Sequence, residues 1–499
     1  MKYNFLFDFS ELKYIIPEFF FLFSIFFLII FLLSFSVSKI YRYPLLTNVS
    51  IWLSILNFIF LFFLYLNNLN IKKILFNNLF NVSCSISYFK IIVILFTIFS
   101  LIITISYLKK EQINDFEYII LLMFVTFGVL LLLSSNDFIL TYLSIELQSL
   151  ALFVLVTFKK NTIYSTEAGI KYFILGSLAS ILLLFGFSLL YFTFGTTNFQ
   201  ELSILFMYNI NLDFYYFLLF FSFLFIFLGI FFKLNVAPLH MWLPDIYEGS
   251  PTSVTLYMAV VPKISFFFIV IKFLFSIFSG FFYEIQNIII ILSVFSIFIG
   301  SFMGIRQKKF KRLFAYSTIS HIGFLLFAIS SGSREGIQSF IIYILIYMMM
   351  SLAIWNILIS LRLKKKNILG IFLTDYNSLF YINPILSLIF CTILLSMAGI
   401  PPLLGFWTKF SVFVSTINSS IYIASIIAIF ISSVSAFYYL RLVKLLYFNN
   451  KYILVLNSYN RISKENSVIL SICFIFIFVC MIYPNFLLVF ANKLSFLLV

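Results

Sequence analysis

Charged residues are scarce in this 499-residue sequence. Asp, Glu, Lys and Arg together make up 10% of it, whereas hydrophobic residues make up 63% and the mean hydropathy is +1.14. Soluble domains carry roughly 25% charged residues, so this composition excludes a soluble globular protein. The apolar runs are long and unbroken, which also excludes the short alternating strands of an outer-membrane barrel. The sequence therefore predicts an all-α polytopic membrane protein.

Cysteine, histidine and the common cofactor motifs are sparse as well. The four cysteines show no C-x-x-C spacing and three of them lie in apolar runs, so neither a metal cluster nor a disulfide framework is predicted. Two histidines are too few for a haem site without other ligands. There is no phosphate-binding loop and no dinucleotide fingerprint. We therefore expect no redox cofactor, metal or nucleotide in this chain.

About fourteen apolar stretches are long enough to cross a bilayer as helices. They cover approximately residues 15–36, 50–67, 89–107, 118–135, 137–157, 167–195, 213–245, 253–279, 286–304, 312–331, 336–361, 384–417, 420–446 and 467–492.

The net charge of +15 would indicate a nucleic-acid partner in a soluble protein, but none is expected here. Basic residues instead collect in the loops after odd-numbered spans, most densely at 306–312 and 364–366. Basic loops are retained on the inner side of a membrane. This pattern places those loops on the matrix or cytoplasmic side and both termini, Met1 and Val499, on the opposite side.

Two of the predicted spans are too long for one straight helix. The seventh, 213–245, contains Pro238, and the twelfth, 384–417, contains Pro401 and Pro402. A helix of that length would measure roughly 50 Å, against roughly 30 Å of hydrocarbon, and proline removes a backbone donor. We expect both spans to be broken.

The two broken spans are five apart, which indicates an internal repeat. A five-span repeat has an odd number of crossings, so its two copies must have opposite orientations. The predicted organisation is an N-terminal three-helix segment (1–110), a first repeat of spans 4–8 (115–280), a second, inverted repeat of spans 9–13 (285–447), and a loop with a last helix (448–499).

Several titratable residues lie inside these apolar spans. Lys233 and His240 bracket the first break, Lys409 follows the second, Lys263 lies about three turns into span 8, and Glu146 lies near the middle of span 5. A charge at bilayer depth costs at least ~3 kcal/mol and persists mainly where it faces a protein interior or a water-filled path. Burial disfavours the charged form, so such groups suit stepwise proton transfer.

Other ionisable residues are secondary candidates for a relay or its support. Glu167 and Lys171 are four apart on one helical face and can pair directly, either for function or as a structural ion pair. His321 opens the stretch STISHIGF, and both it and His240 are also consistent with core histidines. Lys272, near the end of span 8, is interpreted as a residue that snorkels to the headgroups.

One stretch, FKLNVAPLHMWLPDIYEGSPTSVTLYMAVVPKISFF, resembles the subunit 2 family of NADH dehydrogenase, respiratory complex I, an antiporter-like proton-pumping family. NDFILTYLSIELQSLALFVL, EAGIKYFILGSLAS, KRLFAYSTISHIGFLL and MAGIPPLLGFWTKF also resemble it, in the family's order. The resemblance covers roughly residues 117–440. The related subunit 4 usually carries a glutamate where this chain has Lys409.

The resemblance implies roles for the residues that match these motifs. Glu146 and Lys233 would be the charge pair of the first half-channel, Lys263 the central relay and Lys409 the exit lysine. His321 would be a further relay candidate.

The resemblance also implies a proton-translocating membrane-arm subunit of NADH:ubiquinone oxidoreductase in the mitochondrial inner membrane, driven by quinone reduction elsewhere. FMN, iron–sulfur clusters and ubiquinone would belong to the complex as a whole. The implied partners are subunit 4, the small core subunits 3, 6 and 4L, the lateral helix of subunit 5, and lipids. The alternative is a subunit of a multi-chain cation/proton antiporter. A third interpretation, a purely structural span, predicts that Lys233→Ala leaves the pumping stoichiometry unchanged.

Overall fold

Long apolar helices make up almost all of the computed structural model. It describes residues 9–36, 45–69, 71–113, 115–208, 213–364, 368–448 and 459–498. Within these ranges, thirteen helices are long and apolar enough to cross a membrane, and Pro384–Ala398 and Asn485–Leu498 are shorter apolar helices. A helix satisfies its backbone hydrogen bonds internally, which lipid demands. The predicted all-α polytopic fold is confirmed.

The described ranges contain twenty α-helices. In chain order they are α1 Phe9–Leu12, α2 Ile16–Ser36, α3 Leu45–Asn67, α4 Cys84–Glu111, α5 Glu117–Ser134, α6 Phe138–Val156, α7 Ile163–Phe194, α8 Phe199–Tyr208, α9 Asp213–Leu234, α10 Trp242–Gly249, α11 Thr252–Lys272, α12 Phe282–Ile305, α13 Phe310–Ser330, α14 Arg334–Ser360, α15 Leu379–Ile382, α16 Pro384–Ala398, α17 Leu404–Asn418, α18 Tyr422–Tyr447, α19 Lys464–Ile482 and α20 Asn485–Leu498.

Two small antiparallel hairpins interrupt the helices, although the sequence predicted helices only. Strands β1 Lys73–Leu75 and β2 Phe80–Val82 pair between α3 and α4. Strands β3 Arg362–Leu363 and β4 Ile368–Leu369 pair after α14. Each hairpin lies in a connection between long helices.

Both predicted breaks are present, and other boundaries differ. The seventh predicted span consists of α9 and α10, and the twelfth consists of α16 and α17. The last predicted span is also divided, into α19 and α20, next to Pro484, which has no N–H to continue a helix. The short helix α8 was not predicted, because its ten residues are too few to register as a span.

The chain divides into two compact units. The first comprises Met1–Phe158, Phe173–Ile230 and Val261–Gly280, and the second comprises Lys159–Tyr172, Phe231–Val260 and Phe281–Val499. The predicted repeat boundaries remain a prediction. The termini Met1 and Val499, and most of the basic stretch at 364–366, lie outside the described residues.

Small residues allow close helix packing inside the second unit. A Cβ on Gly300 of α12 would lie 2.6 Å from the backbone nitrogen of Ser320 on α13, and one on Gly323 of α13 would lie 2.7 Å from the Ile297 side chain on α12. In lipid, helices gain little from the hydrophobic effect when they associate, so they depend on close packing. Glycines at such crossings allow the two helix backbones to approach each other. Helix α13, which carries His321, is thereby packed closely against α12.

Candidate functional site

The first break begins where α9 ends, at Lys233. Asn235 adopts the left-handed conformation with φ of 67°, and the backbone N–H of Val236 donates to the carbonyl of Phe231 at 3.0 Å. This five-residue-back bond with a left-handed residue is the Schellman arrangement, in which glycine or asparagine ends a helix. Lys233, in the last turn, is only 6% exposed. The first break therefore begins directly after a buried lysine in the last turn of α9.

Trp242 holds the two halves of this interrupted span together. Its indole Nε1 donates to the carbonyl of Phe232 at 3.2 Å, and its ring stacks between those of Tyr172 and Phe232, at centroid distances of 5.0 and 5.4 Å. The carbonyl of Phe232 also accepts from the N–H of Asn235 at 3.1 Å, so the indole is its second donor at the end of α9. His240, between the two halves, is 2% exposed, and Pro238 lies in the same non-helical segment.

The second break repeats this geometry. Gly399 is left-handed with φ of 83°, and the N–H of Ile400 donates to the carbonyl of Leu395 at 3.2 Å. Pro401 and Pro402 follow and prevent the helix from continuing. The first helix of each interrupted span, α9 or α16, therefore ends with the same capping motif. In both cases a proline follows the left-handed residue within three residues.

Lys409 reaches back to the end of α16 from α17. Its Nζ donates to the carbonyl of Ala398, the last residue of α16, at 2.8 Å. The ammonium also lies 5.4 Å from the ring centroid of Phe324, and the residue is 6% exposed. A cation at a helix C-terminus compensates the partial negative charge of the free carbonyls, and an aromatic face adds to this.

Lys263 occupies a third irregularity, inside α11. It follows Pro262, which lies within the helix and cannot donate to the carbonyl of Met258 one turn earlier. Lys263 is 2% exposed. Lys263 was predicted from the sequence as a site residue and Pro262 was not, although the dipeptide Pro-Lys within an apolar run was the available signal.

Glu146 lies in α6, in the first unit, and is half-buried. Its Oε2 accepts a hydrogen bond from the hydroxyl of Ser149 at 3.3 Å, while its Oε1 has no hydrogen-bond partner among the described residues. Lys263 belongs to the first unit too, whereas Lys233 and Lys409 belong to the second. The predicted pairing of Glu146 with Lys233 stays a prediction.

His321 lies in a cluster of buried tyrosines that the sequence analysis missed. Its Nδ1 and the Tyr343 hydroxyl are 2.8 Å apart, and its Nε2 and the Tyr439 hydroxyl are 3.1 Å apart. The ring of Tyr347 lies 5.0 Å from the imidazole centroid. These tyrosines are each 1% exposed or less. Tyr343 also stacks on Phe324, at 6.2 Å, the ring that faces Lys409. The cluster is a set of hydroxyls able to donate and accept protons beside the second break.

The pair predicted from helical spacing is present, and it belongs to a larger ionic network. Lys171 Nζ lies 2.6 Å from Glu167 and 3.3 Å from Asp245 of α10. Arg312 of α13 bridges Asp245 and Glu248, with Nε 2.7 Å from the latter carboxylate. The network ties α7 and α13 to α10, the second half of the first interrupted span. Most of its side chains are more than a third exposed, so solvent screens each contact.

Lys272, interpreted from the sequence as a residue that snorkels to the headgroups, has a partner within the protein. Its Nζ donates to the backbone carbonyl of Ser135, immediately after α5, and lies 5.1 Å from the ring centroid of Phe199. The last carbonyls of a helix have no partner within the helix, so a nearby ammonium binds them. Lys272 therefore caps α5.

These features define a class of protein. Interrupted spans with matching ends, each carrying a buried lysine, are typical of membrane proteins that move ions or protons through their interior.

Comparison with known proteins narrows the class to a family. The family described as NADH:quinone oxidoreductase/Mrp antiporter, TM, matches residues 135–436. The chain is 40% identical to NADH-quinone oxidoreductase subunit N of Paramagnetospirillum magneticum over 380 residues, which is 75% of this chain and 77% of the relative. It is 37% identical to NADH-ubiquinone oxidoreductase chain 2 of Marchantia polymorpha over 476 residues, 94% and 95% of the two chains.

Solved structures agree on the fold. A chain of respiratory complex I from Thermus thermophilus superposes with a TM-score of 0.74 at 22% identity, covering 93% of this chain and 98% of that one. A chain of the Mrp complex from a Dietzia species gives 0.82 at 15% identity, covering 97% of each. The chain belongs to the family of NADH-quinone oxidoreductase subunit N and NADH-ubiquinone oxidoreductase chain 2, the antiporter-like membrane-arm subunits of complex I.

Proposed function

We propose that this chain carries protons across the membrane through Glu146, Lys233, Lys263 and Lys409. The main support for this proposal is the position of the three lysines. Each is at most 6% exposed, and each lies where helical hydrogen bonding is interrupted. Interrupted helices expose backbone carbonyls and amides that can hold water beside a titrating amine. Quinone reduction in neighbouring subunits of the complex supplies the energy.

The chemistry of the relay follows from the cost of burying charge. An ammonium in a low-dielectric interior is stabilised by a nearby carboxylate and destabilised when that carboxylate moves away. Separation of Glu146 from Lys233 is then the event that makes Lys233 release its proton towards Lys263. Lys409 is held by the carbonyl of Ala398 rather than by a carboxylate among its described contacts, so it can pass a proton on without breaking an ion pair.

The proposal extends to location and partners. The membrane is the mitochondrial inner membrane, both termini face the intermembrane space, and the basic loops lie in the matrix. The neighbouring subunits are subunit 4, the small core subunits 3, 6 and 4L, and the lateral helix of subunit 5. His321, His240, Glu167 and Lys171 support the relay, and the chain itself binds no redox cofactor.

Substitution of Lys263 tests the relay. In the purified complex, reconstituted in vesicles, Lys263→Ala should lower the number of protons moved per electron while the complex still assembles. Lys263→Arg should also impair transfer, because arginine keeps its proton at every accessible pH. Lys308→Ala, at an exposed loop lysine, is the matched control and should pump normally. An assembled Lys263→Ala complex with unimpaired stoichiometry would remove Lys263 from the relay.

A cation/proton antiporter subunit is the second candidate, favoured by the likeness in fold to the Mrp complex. The two candidates differ in what they assemble with. Solubilisation in mild detergent should yield the chain in a particle that oxidises NADH. Migration with cation-exchange activity, in a particle without flavin, would favour the antiporter instead.

A further inference from the structure

The N-terminal helices contain a buried ion pair that the relay does not use. Glu18, in the first turn of α2, pairs with the Nζ of Lys90 on α4. The two residues are 6% and 2% exposed. Tyr65 of α3, 2% exposed, places its ring centroid 5.2 Å from the same Nζ. Three helices thus converge on one buried carboxylate and one buried ammonium.

The hydrogen bonding of this cluster is incomplete. Among the described residues, neither Oε2 of Glu18 nor the hydroxyl of Tyr65 has a hydrogen-bond partner. The two groups are nevertheless close enough to interact electrostatically and to form a weak hydrogen bond with each other. A buried polar atom without a partner costs roughly 1–3 kcal/mol, so a pair that served only to hold helices together would gain from having these atoms satisfied. Oε2 therefore keeps lone pairs that can accept a proton in a shielded place.

The β1–β2 hairpin packs beside the start of α2, the helix that carries Glu18. Ile15, Leu75 and Val82 form a small apolar core there. The hairpin is held in place because the Nζ of Lys73 donates to the hydroxyl of Tyr14 at 2.8 Å. Helix α5, which packs on α2, α3 and α4, has no charged residue between positions 119 and 134. The titratable groups shown to interact with Glu18 are Lys90 and Tyr65.

A line of buried hydroxyls continues from Lys90 along α4. Thr97 and Thr104 follow it at intervals of seven residues, which keeps them on nearly the same helical face, and Ser100 lies between them. All three are 1% exposed. Each donates to a carbonyl three residues earlier and retains lone pairs that can accept from water. The pair is therefore the head of a polar stripe along a buried face.

We propose that Glu18, Lys90 and Tyr65 form a second proton-binding site, separate in sequence from the lysine relay. Binding adds one proton from water to Oε2 of Glu18. The net charge of the pair rises from zero to +1, and a carboxylic acid then lies beside the Lys90 ammonium. The new O–H donates to the hydroxyl oxygen of Tyr65. Release returns the proton to water and restores the ion pair, so no other reactant is consumed.

Infrared titration of the intact complex tests this site without depending on proton pumping. A carboxylic-acid C=O band should appear reversibly as the pH falls, vanish in Glu18→Gln, and shift in frequency in Tyr65→Phe, which removes its hydrogen-bond partner. Glu11→Gln is the matched control, since it makes the same chemical change in the same segment at a partly exposed carboxylate that accepts from the Phe76 backbone. It should leave the band unchanged.

A band that survives in Glu18→Gln, or the absence of any band that titrates, would overturn the proposal. Should Glu18→Gln fail to assemble because Lys90 is left unpaired, Glu18→Gln with Lys90→Gln restores a neutral, hydrogen-bonding pair. Its assembly without the band would support the site. Failure of both variants to assemble would assign the pair a structural role and refute proton binding.

Discussion

Gly399 controls how Lys409 reaches the end of α16, which makes Gly399→Ala an informative perturbation. The residue is left-handed, with φ of 83°. A Cβ at this position would lie 2.9 Å from Cδ of Lys409 and 3.1 Å from its Nζ. Because the lysine side chain is the flexible partner, it should move away. We expect Nζ to leave the carbonyl of Ala398, to which it now donates at 2.8 Å.

The expected cost has two parts. A left-handed conformation costs an L-residue about 1–2 kcal/mol. Loss of a hydrogen bond to a charged donor costs a further ~1.5–3 kcal/mol. Gly195→Ala separates the two parts, because Gly195 is also left-handed, with φ of 69°, but among the described residues beyond its chain neighbours no heavy atom lies within 4 Å of the added methyl group. Only the first part should appear in that control.

The assay compares heat stability of the assembled complex with its proton-to-electron stoichiometry. Gly399→Ala should lose more stability than Gly195→Ala and should pump less, whereas Gly195→Ala should pump normally. In a Lys409→Ala background the difference between the two glycine substitutions should shrink, because no long side chain remains to be displaced. Equal stability losses, together with normal pumping in Gly399→Ala, would show that the position of Lys409 is not set by this glycine.

Two further predictions concern the first interrupted span. Trp242→Phe keeps the aromatic stacking but removes one of the two donors to the carbonyl of Phe232, so it should lower heat stability by about 1 kcal/mol and leave assembly intact; no measurable change would mean that the N–H of Asn235 alone satisfies this carbonyl. Arg312→Ala leaves Asp245 and Glu248 without their shared cation and should cost on the order of 1 kcal/mol, less at high salt because the contacts are partly exposed. A loss that does not depend on salt would argue against the ionic explanation.

The sequence by itself determined the class of fold and most of the candidate residues. Bilayer thickness sets the length that an apolar stretch needs in order to span the membrane as a helix. About fourteen spans were therefore predictable from the apolar runs along the sequence. The breaks were predictable because Pro238 and Pro401 lie in segments too long for one helix. Lysines at 233, 263 and 409 were conspicuous because a charge in an apolar run has few structural uses.

Other parts of the candidate site depended on contacts between distant segments. Glu18 and Lys90 were not among the residues predicted from the sequence, because each lies near the start of its span and nothing local marks its partner, yet packing of α2 against its neighbours buries both. The tyrosines around His321 could not be singled out from the 30 tyrosines of the sequence, because no local feature shows which hydroxyls lie beside the histidine.

Lys272 illustrates the same limit. Its position near a helix end favoured the headgroups as its partner, but only the tertiary structure shows that the end of α5 lies within reach. Local sequence decides where the backbone must be broken and where a charge is costly, because bilayer thickness and hydrogen-bond geometry act within one segment. Partners of those charges are decided by helix packing, because the energy of a buried polar group depends on atoms that the chain brings from far away.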